Sequence, residues 1–130
     1  MDSKYLFLIA EARKAINKGF YAEKTPKRRY GAAVLTISGK VYSAGQYSSC
    51  NHITSIHAEM SAILLATMNG EPDIEAIALS CSKKEETFCC GICLQFIKEH
   101  AMRTQRDITL IFDREEIVSI KQSEVTKDMW

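Results

Sequence analysis

The sequence predicts a mixed α/β fold, in which helices cover both faces of a five-stranded sheet. Segments with helical and strand periods follow one another in the order α-β-β-α-β-α-β-β. The segment IEAIALSCS is almost continuously apolar, as expected of a central strand buried on both faces. Only Arg114 to Glu116 separate the last two strands, and a parallel crossover needs about a dozen residues. We therefore expect a three-layer α/β/α domain whose last two strands are antiparallel.

The N-terminal half is predicted to form a helix and then a hairpin. Apolar residues at helical spacing trace one face of the first helix, with Gly19 as its stop: Tyr5, Leu8, Ile9, Ala12, Ala15 and Ile16. The polar loop YAEKTPKRRY follows. An apolar strand from Ala32 to Ile37, a turn at Ser38-Gly39 and a strand from Lys40 to about Gln46 complete the hairpin.

The C-terminal half is predicted to contain two helices and three strands. One helix begins near His57 and ends by Asn69-Gly70. Four residues at helical spacing predict its buried face: Met60, Ile63, Leu64 and Thr67. The strand IEAIALSCS follows it. A further helix begins near Cys90 and runs through GICLQFIKEHA. Two strands, Ile108–Asp113 and Ile117–Lys121, close the predicted fold.

Length and composition narrow the class of protein. The 130 residues fit one domain, residues 1–130, and the formal net charge of +1 argues against a dedicated nucleic-acid or membrane-surface binder. No apolar run approaches the roughly 20 residues of a membrane span. The five cysteines are odd in number, and Cys89, Cys90 and Cys93 are clustered, unlike a secreted disulfide framework. We therefore predict a cytoplasmic protein whose clustered cysteines bind metal.

A histidine, a glutamate and two cysteines form a candidate metal site. Cys90 and Cys93 are three residues apart in the first turn of a predicted helix, so their sulfurs share one face, and His57 opens another helix. A catalytic zinc ion keeps three protein ligands and one water, and these residues supply three. Glu59 then remains to hold and move protons. Two thiolates and a neutral imidazole also balance the charge of Zn²⁺.

Each half of this pattern has a simpler interpretation when taken alone. A lone C-x-x-C occurs in redox and structural zinc sites, and a lone H-x-E is more often a core histidine beside a surface glutamate. A structural zinc site needs a fourth ligand, which Cys50 or Cys89 can supply. The other histidines, His52 and His100, are most simply surface or loop residues, with His52 a secondary candidate for the site.

The combined motifs resemble the cytidine deaminase superfamily, and within it the small homotetrameric cytidine deaminases and blasticidin-S deaminases. YGAAVLTISGKVYSAG resembles the family's VGAA strand and its continuation, HAE resembles the first metal segment, and CCGICLQF resembles PCGxCRQ. The resemblance implies that one zinc ion per chain binds to His57, Cys90 and Cys93, and that Glu59 shuttles protons. It also implies that the backbone around Ala58 contacts the pyrimidine, and that the chain forms a homotetramer.

Several positions depart from the family pattern. Gln46 and Ser48 stand where the family has the asparagine and glutamate that bind the ribose, and Arg28 replaces a phenylalanine within the basic stretch KTPKRRY. A serine cannot hold a ribose hydroxyl as a carboxylate does, and the basic stretch can meet a phosphate or remain a solvated loop. Cys89 and Leu94 replace the proline and arginine of the cysteine motif, and Leu94 is expected in the core or a subunit interface.

Most of the small homotetrameric cytidine deaminases have a cysteine as the first metal ligand. They also have an arginine directly after the glutamate. Here His57 and Met60 take those places, and the two changes compensate in charge. The C-terminal Trp130 is interpreted either as packing on a neighbour's substrate or as part of a disordered end.

These observations predict zinc-dependent hydrolytic deamination of a cytosine-type ring, which gives the uracil-type product and ammonia. The substrate is expected to be a small aminopyrimidine, either cytidine or deoxycytidine or an analogue. The alternatives within the enzyme class are a blasticidin S-like aminonucleoside, a pyrimidine nucleotide and a free base. From a different class, the alternative is a catalytically silent binding module with structural zinc, which would have no need of Glu59.

Overall fold

Five strands form one sheet in the order β2-β1-β3-β4-β5 in the computed structural model, which describes residues 1–51 and 53–129. The strands are β1 (Tyr30–Thr36), β2 (Val41–Gly45), β3 (Ile74–Cys81), β4 (Thr109–Phe112) and β5 (Val118–Lys121). β3 and β4 are parallel, whereas the β1–β2, β1–β3 and β4–β5 pairs are antiparallel. The predicted mixed sheet, its central strand and its antiparallel last pair are therefore confirmed.

Four α-helices accompany the sheet in the described part of the chain: α1 (Ser3–Ala15), α2 (Ala58–Met68), α3 (Gly91–Thr104) and α4 (Gln122–Val125). The first three were predicted, but α4 was not, because four residues are too few to show a helical period. The ammonium of Lys98 on α3 donates hydrogen bonds to the carbonyl oxygens of Thr126 and Met129. The segment after α4 is therefore held against α3.

Side chains on the two faces of the sheet form two separate cores. One face packs against α1 through small residues, among them Ala33, Ala76 and Ala78. The other face packs against α2 and α3 with larger ones, among them Ile77 and Leu79. This alternation along β1 and β3 follows from the two-residue period of a strand, and it places the two layers of helices on opposite faces.

The small residues allow α1 to approach the sheet closely. A Cβ atom added at Gly31 in β1 would lie 2.2 Å from the carbonyl oxygen of Ala12 and 2.4 Å from the backbone nitrogen of Ile16. No side chain fits at that distance, so glycine is required where β1 passes under the end of α1.

The buried face of α2 differs from the prediction. Ala58, Glu59, Ala62, Ile63 and Ala66 are the buried residues of this helix. The alanines let the helix lie close to the sheet, and the larger apolar residues consequently point outward. The predicted face was therefore wrong for Leu64, which is 37% exposed, and only half right for Met60 and Thr67, which are half-buried.

A buried carboxylate connects α1 to two strands. Arg13 on α1 donates two hydrogen bonds of 2.8 Å to the carboxylate of Asp113, and the hydroxyl of Ser80 donates a third. Burial by itself would raise the pKa of Asp113, but the hydrogen bonds from Arg13 and Ser80 outweigh it and hold the pKa below its ordinary value. Asp113 thus remains charged and fixes the end of β4 against the helix layer.

None of the helices in the described ranges has both the length and the apolar composition needed to cross a membrane.

At one end of the strands, here called the site edge of the sheet, the start of β1 pairs with the end of β3, and Tyr30 lies opposite Cys81. The first turns of α2 and α3 meet close to this edge.

Candidate metal and active site

Two helix N-termini bring the predicted metal ligands together. His57 is the N-cap of α2 and Cys90 the N-cap of α3, and both have extended backbone angles. Cys93 lies in the first turn of α3, on the same face as Cys90. The Nδ1 of His57 is 3.1 Å from the Sγ of Cys93 and 3.3 Å from the Sγ of Cys90. All three ligating atoms lie within 4.8 Å of one another.

This cluster fits one zinc ion per chain. Tetrahedral zinc with Zn–S bonds of about 2.3 Å and Zn–N bonds of about 2.0–2.1 Å separates neighbouring N and S ligands by about 3.6 Å. The observed separations are slightly shorter, so a small outward adjustment suffices. Two sulfurs and an imidazole nitrogen are also the donors that zinc prefers.

Two cysteines that were considered as a fourth ligand lie outside the cluster. Within residues 1–51 and 53–129, the group of ligating atoms contains neither Cys50 nor Cys89. Cys50 is exposed, and Cys89 is buried in the core between the sheet and the helices. A set of three protein ligands leaves one tetrahedral position open, which is typical of a catalytic zinc site.

The surroundings of the sulfurs disfavour negative charge unless a cation is present. Burial raises the pKa of the Cys93 thiol, and the neighbouring Glu59 and Cys90 raise it further. Burial likewise raises the pKa of the Cys89 thiol, with Glu59 adding to the effect. Coordination to zinc deprotonates a thiol outright. We therefore expect the Cys93 thiol to lose its proton when the metal binds.

A small cavity of about 90 Å³ opens beside the cluster. It is lined by Tyr30, Gln46, His57, Ala58, Glu59, Phe88 and Cys90. Glu59 lies in the first turn of α2 and is only 4% exposed, so its carboxylate is largely shielded from bulk water. We call the space lined by these residues the ring cavity. Five residues of the predicted site therefore line one cavity: Gln46, His57, Ala58, Glu59 and Cys90.

Tyr30 and Phe88 also line the ring cavity and were not among the predicted site residues. The Phe88 ring stacks on Phe112 with their centroids 4.8 Å apart. Burial, together with the neighbouring Cys81, raises the pKa of Tyr30 to about 12, so its hydroxyl stays protonated. Their positions held a signal: Tyr30 directly precedes GAAV at the start of β1, and Phe88 lies two residues before Cys90.

Two predicted substrate-binding residues, Ser48 and Arg28, lie outside the ring cavity. They line an adjoining space of about 560 Å³, here called the outer groove, whose walls also include Tyr30 and Gln46. The hydroxyl of Ser48 accepts a hydrogen bond from the backbone N–H of Ala22 (2.9 Å). The Ser48 hydroxyl therefore helps to hold the neighbouring loop segment at Ala22, which also lines the groove.

Among the described residues, His100 lies outside the metal cluster. His100 lies on α3, not in a loop as one interpretation had it, and its Nε2 is 2.7 Å from the carbonyl oxygen of Pro72. Leu94 is buried in the core, as expected. The predictions for His52 and Trp130 lie outside the described residues.

Comparison with known proteins agrees with this architecture. Residues 6–106 match the family model described as the cytidine and deoxycytidylate deaminase zinc-binding region. The fold is similar to the crystal structure of cytidine deaminase from Burkholderia pseudomallei, with a TM-score of 0.84 and 20% identity over 100% of both chains. Cytidine deaminase from Mycobacterium tuberculosis gives a TM-score of 0.79 and 19% identity, covering 98% of this chain and 97% of that one. Cytidine deaminase from Bacillus anthracis gives a TM-score of 0.69 and 16% identity, and the match covers 99% of this chain and 90% of that one.

The family match spans more than three quarters of the chain and includes His57, Glu59, Cys90 and Cys93. The protein belongs to the cytidine and deoxycytidylate deaminase family and is a deaminase enzyme with a zinc-binding region. The structural likenesses establish independently that its fold is that of the cytidine deaminases.

Proposed function

We propose that this enzyme hydrolytically deaminates a cytosine-type ring, producing the uracil-type ring and ammonia. The observation that carries the proposal is the convergence of His57, Cys90 and Cys93 at the wall of a cavity that also contains the buried carboxylate of Glu59. This places a zinc ligand set and a proton carrier on the same small space, which is what addition of water to a C=N bond requires.

The zinc ion would be held by the Nδ1 of His57 and the sulfurs of Cys90 and Cys93. When bound, it supplies a Lewis acid that lowers the pKa of a coordinated water to about 7. His57 and Cys90 also line the ring cavity, so a ring in this cavity would lie next to the residues that would hold the zinc ion.

The carboxylate of Glu59 is proposed to move the protons. One proton taken from water by a Glu59 oxygen passes to the ring nitrogen next to the amino-bearing carbon. The water oxygen bonds to that carbon, and its remaining proton then passes through Glu59 to the amino group as the C–N bond breaks, so that ammonia leaves and the oxygen becomes the carbonyl. Because Glu59 is 4% exposed, bulk water competes little for these protons.

The other walls of the ring cavity are suited to an aromatic heterocycle. The exposed ring of Phe88, fixed by stacking on Phe112, offers an apolar face. The side chain of Gln46 offers an amide donor and acceptor, and the backbone of Ala58 lies beside them. We propose that these three residues bind and orient the ring for attack.

The set of three ligands also favours catalysis over a silent binding module. A structural zinc site has four protein ligands, and the two candidates for the fourth ligand, Cys50 and Cys89, lie outside the cluster. A carboxyl group buried beside the metal ligands is, moreover, suited to moving protons, which a structural zinc site does not require.

We also propose that residues 1–130 act as one domain and assemble as a homotetramer in the cytoplasm. The outward face of α2 supports the assembly: Leu64, Leu65 and Met68 are 37%, 42% and 77% exposed on a helix whose other side is already buried. A helix that is apolar all round is usually buried on all sides. The five free thiols are consistent with a reducing compartment.

The decisive experiment measures ammonia release by the zinc-loaded protein. Cytosine, cytidine, deoxycytidine, CMP, dCMP and blasticidin S are offered in turn, with Glu59→Gln as the control. Release that depends on Glu59 from any of them supports the proposal. Zinc bound at one per chain with no release from all six would favour the binding module instead.

A further inference from the structure

The outer groove continues directly from the ring cavity. Tyr30 and Gln46 line both spaces, so a substrate whose ring occupies the ring cavity extends past these two residues into the groove. With a volume of about 560 Å³, the groove has room for a substituent larger than the ring. A free base would leave this space unused.

Part of the groove wall comes from the basic loop, here defined as residues 24–29. It carries four cations within six residues: Lys24, Lys27, Arg28 and Arg29. Lys27 and Arg28 line the groove, and the acidic residue that shares it is Glu23. The local charge is therefore positive where a substituent of the ring would lie.

The two groove cations differ in their partners. The guanidinium of Arg28 forms an ion pair with Glu86, in the segment that precedes the zinc cysteines. In the part of the chain that the structure describes, no carboxylate lies within ion-pair distance of Lys27. An ammonium without a protein counter-charge, next to a cavity, is suited to an anionic ligand.

The backbone holds the start of this wall in place. Phe20 N–H donates to the carbonyl oxygen of Gln46, and Ser48 N–H donates back to the carbonyl oxygen of Phe20, both at 2.8 Å. The hydroxyl of Ser48 adds the bond from Ala22 N–H. Residues 20–22 are thereby tied to the segment that follows β2. Ser48, which stands where the family has a ribose-binding glutamate, thus helps to hold the wall of the groove in place.

We infer that the outer groove is an anion subsite, in which Lys27, assisted by Arg28, binds the phosphate of a pyrimidine nucleoside monophosphate. The inference rests on the proposed function, because it assumes that the ring occupies the ring cavity. A lysine ammonium acts on a phosphate as a point charge and needs no fixed fork geometry. The same positive charge disfavours a substituent that carries a guanidinium, such as that of blasticidin S.

The test compares nucleotide with nucleoside in matched variants. We expect a higher kcat/KM for CMP and dCMP than for cytidine and deoxycytidine in the native protein. We compare the kcat/KM for CMP with the kcat/KM for cytidine. Lys27→Ala should lower the ratio of the two about tenfold, which corresponds to the free energy lost with one charged hydrogen bond. Lys24→Ala removes the same charge from the same loop without touching the groove, and it should change that ratio less than twofold. Raising the salt concentration should lower activity on CMP more than on cytidine.

A binding measurement separates the two proposals. Zinc-loaded Glu59→Gln protein is titrated calorimetrically with CMP and with cytidine, with and without Lys27→Ala. Tighter binding of CMP that Lys27→Ala removes supports the anion subsite, whether or not turnover is found. Equal affinity for CMP and cytidine, or a preference that Lys27→Ala leaves intact, overturns the subsite. Turnover of cytidine without preference for CMP overturns the subsite alone, whereas the absence of ammonia from every substrate overturns the proposed function.

Discussion

The imidazole of His57 contacts the sulfur of Cys90 at 3.3 Å, although 33 residues separate them in the sequence. Each is the N-cap of a helix, α2 in one case and α3 in the other. The contact exists because both helices begin near one edge of the sheet and lie on the same face. The positive ends of the two helix dipoles consequently meet at the cluster, where they offset part of the unfavourable effect of burial and of Glu59 on a thiolate.

Replacing the proposed proton carrier should separate metal binding from turnover. In Glu59→Gln the amide cannot accept a proton, so we expect ammonia release to fall by at least the roughly 10²–10⁴-fold typical of general acid–base catalysis. Zinc content by mass spectrometry and the melting temperature should stay close to the native values. Glu99→Gln on the exposed side of α3 is the matched control and should remain active. Undiminished turnover in Glu59→Gln would refute the role of this carboxylate.

Removing one sulfur should remove the metal. Cys90→Ala leaves only two protein ligands, and we expect it to lose zinc and to melt at a lower temperature, since zinc binding stabilises the state that holds it. Cys50→Ala removes an exposed thiol outside the cluster and should retain one zinc per chain. A chelator should lower the melting temperature of the native protein but have little effect on Cys90→Ala. Full zinc occupancy in Cys90→Ala would contradict the assigned ligand set.

The buried carboxylate of Asp113 should make stability depend on pH. Its pKa is below the unfolded value of about 3.9, so the stability it contributes is complete above about pH 4 and is lost as the pH falls through the folded pKa. Asp113→Asn should cost roughly 1–3 kcal/mol at neutral pH, since Arg13 is half-exposed and its attraction partly screened.

Urea unfolding of the two proteins at several pH values measures this effect. The difference in unfolding free energy should be constant from pH 8 to pH 5 and shrink below about pH 4. A difference between the two proteins that does not change down to pH 2 would show that Asp113 is not the titrating group.

The close approach of α1 to the sheet should tolerate no side chain at position 31. A Cβ there meets the carbonyl oxygen of Ala12, so Gly31→Ala must displace backbone, at a cost of about 1–3 kcal/mol. Gly91→Ala, at the start of α3, meets nothing within 4 Å and should be neutral or stabilising, because alanine favours the helix by about 1 kcal/mol. Thermal unfolding of both variants measures the contrast. Equal melting temperatures for the two would show that α1 can move away without cost.

The outward face of α2 should govern assembly. The native protein is expected to have four times the 14.6 kDa mass of one chain in light scattering after size-exclusion chromatography. Met68→Glu adds a charge to the exposed apolar side of α2 and should shift the mass toward smaller species. Phe7→Glu on the exposed side of α1 is the control for a general loss of apolar surface. A native mass of one chain would exclude the tetramer.

The sequence was sufficient for the order of the five strands and of α1, α2 and α3, and for the grouping of His57, Cys90 and Cys93. Strand and helix periods are local properties, and the three-residue connection before Ile117 permits only an antiparallel pair. His57, Cys90 and Cys93 were recognisable because zinc demands particular donors at particular spacings, and those demands are visible in the residue types alone.

Which face of α2 is buried, and what surrounds the metal, depended on the tertiary structure. Ile63 and Leu64 are equally apolar, and only the close packing of the alanines against the sheet makes one buried and the other exposed. Tyr30 reaches the ring cavity from the start of β1, which pairs with β3 in a particular register, and Phe88 reaches it while stacked on Phe112. The hydroxyl of Ser48 accepts a hydrogen bond from Ala22 in the neighbouring loop, and Ser48 lines the outer groove instead of the ring cavity. The chemistry of the ligands is written in residue types, but the shape around them comes from contacts between residues distant in sequence, which no local pattern records.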